Sequence, residues 1–332
     1  MIENNVKNEK TFKFKFDWHK FSSNYGILVG FLIIVLFLSI FAKNFLSYSN
    51  FINILRQVSC IGIATIAVGI LIIMNCIDLA IGSTFALTGI MAGLIVSTGL
   101  GGYGLPAPLG YAVGIATGLL IGLFNGVIIA KGKIPAFIVT MGSLSIVRGI
   151  AYIVSHGMPV GNFPADFTYL GTASVIGNNV LPWSVVIFLI VIVVINFVMK
   201  KRPLGRYIYA IGCNEDAARA AGINVDMTKI KAYLLAGALV GLAGTLLASR
   251  LKSAAPGLGA GYELDAIAGS IIGGVSFTGG LGTVGGMVLG AMMIGVINNG
   301  MDLMGVEAFY KLIVKGGIIV LAVLIDRKRS GR

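Results

Sequence analysis

The sequence predicts an all-α, polytopic helical membrane protein with about ten transmembrane helices (eight to ten), some of them broken or re-entrant. Of its 332 residues, 57% are apolar and only 11% are charged, which is too little charge to cover the surface of a soluble domain. Apolar runs of about 17 to 24 residues recur, each long enough to cross ~30 Å of hydrocarbon as a helix. The 47 glycines would weaken soluble helices, but they let membrane helices approach closely.

The predicted spans follow one another at short intervals, and two of them are irregular. The segment 80–98 has Gly and Ser close to its start, and 264–277 is short for a complete crossing. Either is predicted to be a broken or re-entrant element, which a bilayer tolerates only where protein or a water-filled cavity covers its backbone. The ten predicted spans are 26–42, 54–77, 80–98, 107–130, 134–154, 181–199, 232–251, 264–277, 283–300 and 310–325.

The distribution of basic residues identifies the cytoplasmic side. Ten spans place both termini on one side, and most of the 25 Lys and Arg residues fall there, whereas the opposite loop 155–180 has none. The positive-inside rule therefore makes both termini cytoplasmic, so the net charge of +12 reports topology and not nucleic-acid binding. The predicted organisation is a basic segment 1–25, a single transmembrane domain 26–325 with a cytoplasmic loop 200–231, and a basic tail 326–332.

Glycines predict one close helix contact. Gly114, Gly118, Gly122 and Gly126 continue a four-residue repeat that begins at Gly110, so all five share one face of a helix. Such small-xxx-small faces allow tight packing between membrane helices. Packing alone explains the repeat; the alternative is a surface that slides during alternating access.

Polar residues inside apolar runs are costly in lipid and need a partner or a cavity. Asp78 or Ser83 could cap the helix that follows the first irregular break, or Asp78 could line a pathway. Arg148, deep in a predicted span, is either paired with an acidic residue such as Asp78 or Asp265, or directed outward to the membrane surface. Lys315 is expected to extend toward the membrane surface. The candidate pathway residues are Asn75, Asp78, Ser83, Asn125, Glu263, Asp265, Asn298 and Asn299.

The sequence lacks the motifs of several catalytic classes. It contains no G-x-x-x-x-G-K-[ST] phosphate-binding loop, no H-E-x-x-H and no G-x-S-x-G. The chain is therefore predicted not to be an enzyme and to bind no cofactor or metal. If the chain moves a substrate against its concentration gradient, the energy is expected to come from a partner protein.

One motif resembles that of a known transport family. The spacing Asp216-Ala217-Ala218-x3-Gly222 resembles the E-A-A-x3-G loop in membrane subunits of bacterial ABC importers, with Asp in place of Glu. Its surroundings resemble monosaccharide importer permeases of the ribose and galactose type, in order from about residue 50 to 328. The likeness is carried by CIDLAIGSTFALTG, AKGKIPAFIVTMGSLSIVRG, LGRYIYAIGCNEDAARAAGINV and GYELDAIAGSIIGGVSFTGGLGTVGG. Cys76 and Ala80 depart from the family, which often has Gly and Ser there.

The resemblance implies a permease that works as a pair, as expected for a homodimer, in the bacterial cytoplasmic membrane. A separate cytoplasmic ATPase would bind ATP and Mg²⁺, and an extracytoplasmic binding protein would deliver the sugar to this chain in the lipid bilayer. No nucleic acid is implied. The ATPase would dock on the loop 200–231, through Arg206, Glu215, Asp216, Ala217, Ala218 and Gly222.

The resemblance leaves the substrate open. A pentose or hexose is favoured, and a nucleoside or furanosyl signalling molecule is an alternative within the same class. An ion-coupled secondary transporter is an alternative from another class. That alternative would be expected to show paired intramembrane carboxylates, for which Asp78 with Asp265 is the only candidate pair in the sequence.

Overall fold

A computed structural model describes residues 18–99, 101–176 and 180–329, and these residues form thirteen helices and no extended sheet. The predicted segments 1–25 and 326–332 fall partly outside the described residues. The helices are α1 (Trp18–Phe41), α2 (Tyr48–Ile73), α3 (Ile81–Val96), α4 (Ala107–Gly132), α5 (Ala136–Val154), α6 (Ala165–Thr172), α7 (Trp183–Lys201), α8 (Pro203–Cys213), α9 (Glu215–Ala220), α10 (Val225–Leu251), α11 (Tyr262–Ile272), α12 (Val284–Leu303) and α13 (Ala308–Arg329).

Each of the ten predicted spans coincides with one of these helices, which confirms the predicted fold class. Six of the described helices are both long and apolar enough to cross a bilayer, and the apolar segments Leu28–Phe41 and Ile81–Val96 are shorter. The short helix α6 lies in the loop opposite the predicted cytoplasmic side. Helices α8 and α9 form the predicted cytoplasmic loop 200–231.

Local sequence signals explain where several helices begin. Pro106 and Pro135 directly precede α4 and α5, because proline cannot donate a backbone hydrogen bond and suits a helix entrance. Ser47 and Thr283 cap α2 and α12 by accepting hydrogen bonds from backbone N–H groups in the first turn. Lys252, in a left-handed conformation with φ of 56°, ends α10.

The core is built around α2 and α10, and the glycine face of α4 packs against α10. A Cβ atom added at Gly118 would lie 2.3 Å from the carbonyl oxygen of Gly237, and one added at Gly237 would lie 2.3 Å from the carbonyl oxygen of Gly118. Gly114, Gly122 and Gly126 are also buried along this face. Two backbones thus meet without side chains between them, the close approach that small residues permit.

The outer helices carry the lipid-facing surface. Ile153 on α5, Val193 on α7 and Ile313 on α13 are 74%, 68% and 72% exposed, respectively. Large apolar side chains that are this exposed are suited to contact with hydrocarbon or with another membrane subunit, and not with water.

Candidate translocation and coupling sites

Two interrupted helices, α3 and α11, begin side by side. Non-helical residues 74–80 precede α3, and non-helical residues 252–261 precede α11. A Cβ atom added at Gly82, in the first turn of α3, would lie 2.2 Å from Oε2 of Glu263 and 2.4 Å from the carbonyl oxygen of Gly259. Only glycine at this position allows the start of α11 to approach the start of α3 so closely.

The carboxylate of Glu263 lies at this meeting point. Its Oε1 accepts a hydrogen bond of 3.2 Å from the backbone N–H of Gly261, whereas its buried Oε2 has no hydrogen-bond partner among the described residues. Helix N-termini carry positive partial charge and free N–H groups, which stabilise a carboxylate there. The junction of α3 and α11 is thus a polar point between otherwise apolar helices.

Asp265, two residues further along α11, is 1% exposed and is neutralised by a cation. Its Oδ2 accepts hydrogen bonds from Nζ of Lys315 at 2.8 Å and from Nδ2 of Asn298 at 3.1 Å. The expectation that Lys315 extends to the membrane surface was wrong, because a buried carboxylate is stable only with a partner of opposite charge. This ion pair joins α13 to α11.

Asn299 belongs to a different contact from its neighbour Asn298. Its side-chain amide and that of Asn50 exchange two hydrogen bonds, of 2.8 and 2.9 Å, between α12 and α2. Asn50 also donates to the carbonyl oxygen of Phe45. The reciprocal amide contact fastens α12 to α2, and a pathway role for Asn299 stays a prediction.

The other predicted pathway residues lie in the break before α3, on α3 and on α4. Asp78 accepts a 2.8 Å hydrogen bond from the N–H of Ala80, and Ser83 donates to the carbonyl oxygen of Ala80, so both bind the residue that precedes α3. Asn75, at φ of 59°, is exposed at the start of the break. Asn125 is buried on α4, and its Oδ1 has no partner within the described part of the chain.

Arg148 has neither of the acidic partners proposed from the sequence, nor does it extend outward. Its Nη1 donates to the carbonyl oxygens of Pro256 and Leu258, at 2.5 and 3.0 Å. These carbonyls lie in the non-helical stretch before α11, where no helix supplies them with donors. A break in a span leaves backbone carbonyl oxygens that need hydrogen-bond donors. Sequence reasoning missed these carbonyls as partners for Arg148.

The predicted ATPase-coupling loop, residues 200–231, contains a short helix, α9, with an exposed tip. Asn214 caps α9 by accepting a hydrogen bond of 2.8 Å from the N–H of Ala217, and Gly222, at φ of 82°, turns the chain toward α10. Asp216 and Ala217 are exposed, as is Arg206 on α8, whereas Ala218 is buried. The D-A-A-x3-G sequence thus forms one helical turn that projects from the membrane domain.

Glu215 and Asp216, treated together in the sequence, have different environments. Glu215 accepts hydrogen bonds from Lys229 at 2.8 Å and from Arg219 at 3.3 Å, and Arg219 also lies 3.5 Å from Asp226. Asp216 makes no ion pair with any residue the structure describes. Glu215 therefore fastens α9 to α10, and Asp216 remains available at the surface.

The preceding helix α8 is fixed to the core at its C-terminal end. Tyr209 donates a 2.7 Å hydrogen bond to the carbonyl oxygen of Gly282, and Gly280 donates a 2.8 Å hydrogen bond to the carbonyl oxygen of Ile73. Burial raises the pKa of the Tyr209 phenol above its usual range. The phenol is therefore neutral at physiological pH and acts as a donor. Sequence reasoning missed Tyr209, since one tyrosine in a polar segment gives no signal.

A polar cavity of about 540 Å³ separates the coupling helix α9 from the turn between α4 and α5. Its wall includes Asn75 and Cys76 from the break before α3, Lys133 from the turn, and the Glu215–Lys229 pair. The break before α3 and the predicted coupling loop therefore line the same cavity. Across the described residues, no group of three His, Cys, Asp or Glu side chains is placed to hold a metal ion.

Interrupted apolar helices, buried polar residues at their junction and a projecting cytoplasmic helical turn define the class: a multi-pass membrane permease. The chain belongs to the family described as branched-chain amino acid transport system / permease component, whose model matches residues 50–323. The importer-permease resemblance seen in the sequence is thereby confirmed at the level of the family.

Several characterised sugar permeases are similar to this chain along nearly its whole length. The ribose import permease protein of Escherichia coli K12 is 40% identical over 91% of this chain and 93% of its own length. That of Bacillus subtilis 168 is 38% identical, covering 92% and 93%. The L-arabinose ABC transporter permease of Azospirillum brasilense is 34% identical, covering 92% and 88%. No solved structure matches the chain at a significant level.

Proposed function

We propose that this chain is the membrane subunit of a bacterial ABC importer and carries a monosaccharide, with a ribose-like pentose as the favoured substrate, across the cytoplasmic membrane. The observation that carries the proposal is the 40% identity to a ribose import permease across 91% of the chain. Relatives that transport other sugars are less similar: the D-allose and xylose permeases are 34% and 32% identical.

The energy for transport comes from a cytoplasmic ATPase that docks on α8 and α9. Supporting this, α9 projects its exposed Asp216 and Ala217, while the Glu215–Lys229 ion pair fixes its inner side to α10. A short rigid knob of this kind can enter a cleft on a partner and transmit its displacement. ATP and Mg²⁺ belong to that ATPase, and an extracytoplasmic protein delivers the sugar.

The pathway lies near the junction of α3 and α11, where Glu263 has an unpaired buried oxygen. A neutral sugar needs hydrogen-bond acceptors and donors, and the junction offers a carboxylate together with N–H groups of two helix starts. Asn298 is held by Asp265 at the same end of α11. The importer is proposed to contain two copies of this chain, with apolar helices such as α13 available to contact the second copy.

Reconstitution of the permease with its ATPase and binding protein in liposomes tests the proposal. We expect uptake of radiolabelled ribose that requires both partners, with the binding protein outside the vesicle and ATP inside, on the side where the ATPase docks. Xylose, allose and a nucleoside serve as competitors that rank the substrate classes. Uptake by this chain alone, driven by an ion gradient without ATP, would overturn the proposal in favour of a secondary transporter.

A further inference from the structure

The end of α8 is embedded in the base of the membrane domain. A Cβ atom added at Gly212 would lie 1.7 Å from the carbonyl oxygen of Ile73, the last residue of α2, and 2.7 Å from the backbone nitrogen of Gly280. No side chain larger than hydrogen fits here unless the backbone moves. Helix α8 therefore meets α2 and the turn before α12 at backbone distance.

That turn connects α11 to α12, and it is also held by a side chain of α8. The Tyr209 hydroxyl donates to the carbonyl oxygen of Gly282 at 2.7 Å, and the N–H of Gly280 donates to Ile73 at 2.8 Å. Backward along the chain, the turn leads directly into α11, which carries Glu263 and Asp265. One hydrogen bond and one backbone contact thus connect α8 to the turn that follows α11.

Helix α9 reaches the membrane domain by another route. Its ion pair with Lys229 leads into α10, which packs against α4 through glycines. The two connections differ: α9 is fastened to α10, which packs against both α4 and α3, whereas Tyr209 on α8 binds the turn between α11 and α12. Only the second connection adjoins the helix that bears the acidic residues of the α3–α11 junction.

We propose that Tyr209 is a positioning residue of the transport cycle, which couples movement of α8 to α11 through its hydrogen bond to Gly282. The inference rests on the proposed function, since it takes α8 and α9 as the ATPase-docking segment. Under this proposal, movement of the ATPase reaches the permease at two points, through α9 and through the end of α8. Without the Tyr209 hydroxyl, α8 would still move with the ATPase, but α11 would follow it less completely.

The test compares Tyr209→Phe with Tyr103→Phe in the reconstituted importer. Tyr103 is 72% exposed in the loop between α3 and α4, away from the docking helices, so it controls for removal of a tyrosine hydroxyl. For Tyr209→Phe we expect about five-fold less sugar transported per ATP hydrolysed, the scale of one lost hydrogen bond. ATPase co-purification should be unchanged, and Tyr103→Phe should behave as the natural sequence does.

A second readout follows the contact between α8 and the turn that connects α11 to α12. Cys213 is exposed at the end of α8, next to Gly280, while Cys60 and Cys76 are buried, so a maleimide reports on this one position. In the unaltered importer, we expect trapping of the ATPase with vanadate to change the rate of Cys213 labelling little, because α8 and the turn move together. In Tyr209→Phe, α8 moves without the turn, so the labelling rate should become dependent on nucleotide, an effect that a loss of stability alone would not produce.

Three outcomes would overturn the inference. An unchanged transport-to-hydrolysis ratio in Tyr209→Phe would show that the hydrogen bond transmits nothing. An equal loss in Tyr103→Phe would show a general effect of removing a tyrosine hydroxyl, and loss of ATPase co-purification from Tyr209→Phe would assign the effect to docking. These results differ from failure of the proposed function, in which the unaltered complex itself would show no ATP-dependent sugar uptake.

Discussion

Lys229 donates a 2.8 Å hydrogen bond to Glu215, and this contact joins the coupling helix α9 to the first turns of α10. The lysine side chain is only 14% exposed, so the pair is sheltered on its α10 side. Asp216, the next residue, faces solvent without an ion pair among the described residues. Neighbouring acidic residues thus have distinct environments: the first fixes α9 to α10, and the second is left exposed to solvent.

Charge reversal separates these tasks. Glu215→Lys places a third cation beside Lys229 and Arg219 and should weaken the attachment of α9 by about 1 kcal/mol, the upper range for a partly exposed pair. We expect sugar uptake to fall while ATP hydrolysis continues, measured as transport per ATP in proteoliposomes. The double variant Glu215→Lys/Lys229→Glu restores the opposite charges and should recover coupling. A double variant as defective as Glu215→Lys would contradict this account.

Asp216→Lys should act differently from Glu215→Lys. Since Asp216 holds no internal ion pair, its reversal leaves α9 in place and alters only the surface shown to the ATPase. We expect weaker co-purification of the ATPase and normal membrane insertion of the permease, measured by pull-down and by membrane fractionation. Full retention of the ATPase at physiological salt would exclude Asp216 from the docking surface.

The turn that ends the coupling motif requires a left-handed residue. Gly222 has φ of 82°, a conformation that costs an L-residue roughly 1–2 kcal/mol, and more if the side chain is β-branched. Gly222→Val should therefore uncouple uptake from ATP hydrolysis while the protein still inserts. Gly222→Asn is the matched control, because asparagine tolerates this conformation, and it should retain most of the coupled uptake. Equal activity of the two variants would show that the turn geometry is not limiting.

Glycine contacts between α4 and α10 predict a stability difference between two alanine variants. Gly118→Ala would place a methyl group 2.3 Å from the carbonyl oxygen of Gly237, whereas a Cβ at Gly142 on α5 meets no atom within 4 Å. We expect Gly118→Ala to destabilise the protein by about 1–3 kcal/mol through overpacking, with Gly142→Ala near neutral. Thermal unfolding in detergent measures both. Two similar melting temperatures would argue that the helices separate easily, as a sliding surface requires.

How much the sequence predicts depends on the range of the interaction. The spans follow from runs of apolar residues, and the glycine face of α4 follows from a four-residue repeat, both local patterns. The D-A-A-x3-G turn is also local, and its glycine has the positive φ that such an ending needs. For these features, one short segment contains all the information.

Contacts between distant segments could not be predicted in this way. Arg148 donates to Pro256, more than 100 residues away, and Lys315 reaches Asp265 across 50 residues. The sequence showed that each charge needs a partner, but several partners were chemically equivalent until the helices were arranged. Nothing in the sequence indicated a role for Tyr209, because a tyrosine in a cytoplasmic segment can be solvated by water and does not require a partner within the protein. The pathway role of the acidic residues stays a prediction.

The buried ion pair on α11 gives a further test, one that separates structure from transport. Asp265→Asn leaves the Lys315 cation buried without its counter-charge, and loss of one partner from a buried pair costs about 3–5 kcal/mol. The double variant Asp265→Asn/Lys315→Met removes both charges and should regain much of the stability, as measured by thermal unfolding in detergent. If Asp265 serves only to neutralise Lys315, sugar uptake should return together with stability. A stable double variant that docks its ATPase yet transports no sugar would instead place the Asp265 carboxylate in the pathway beside Glu263.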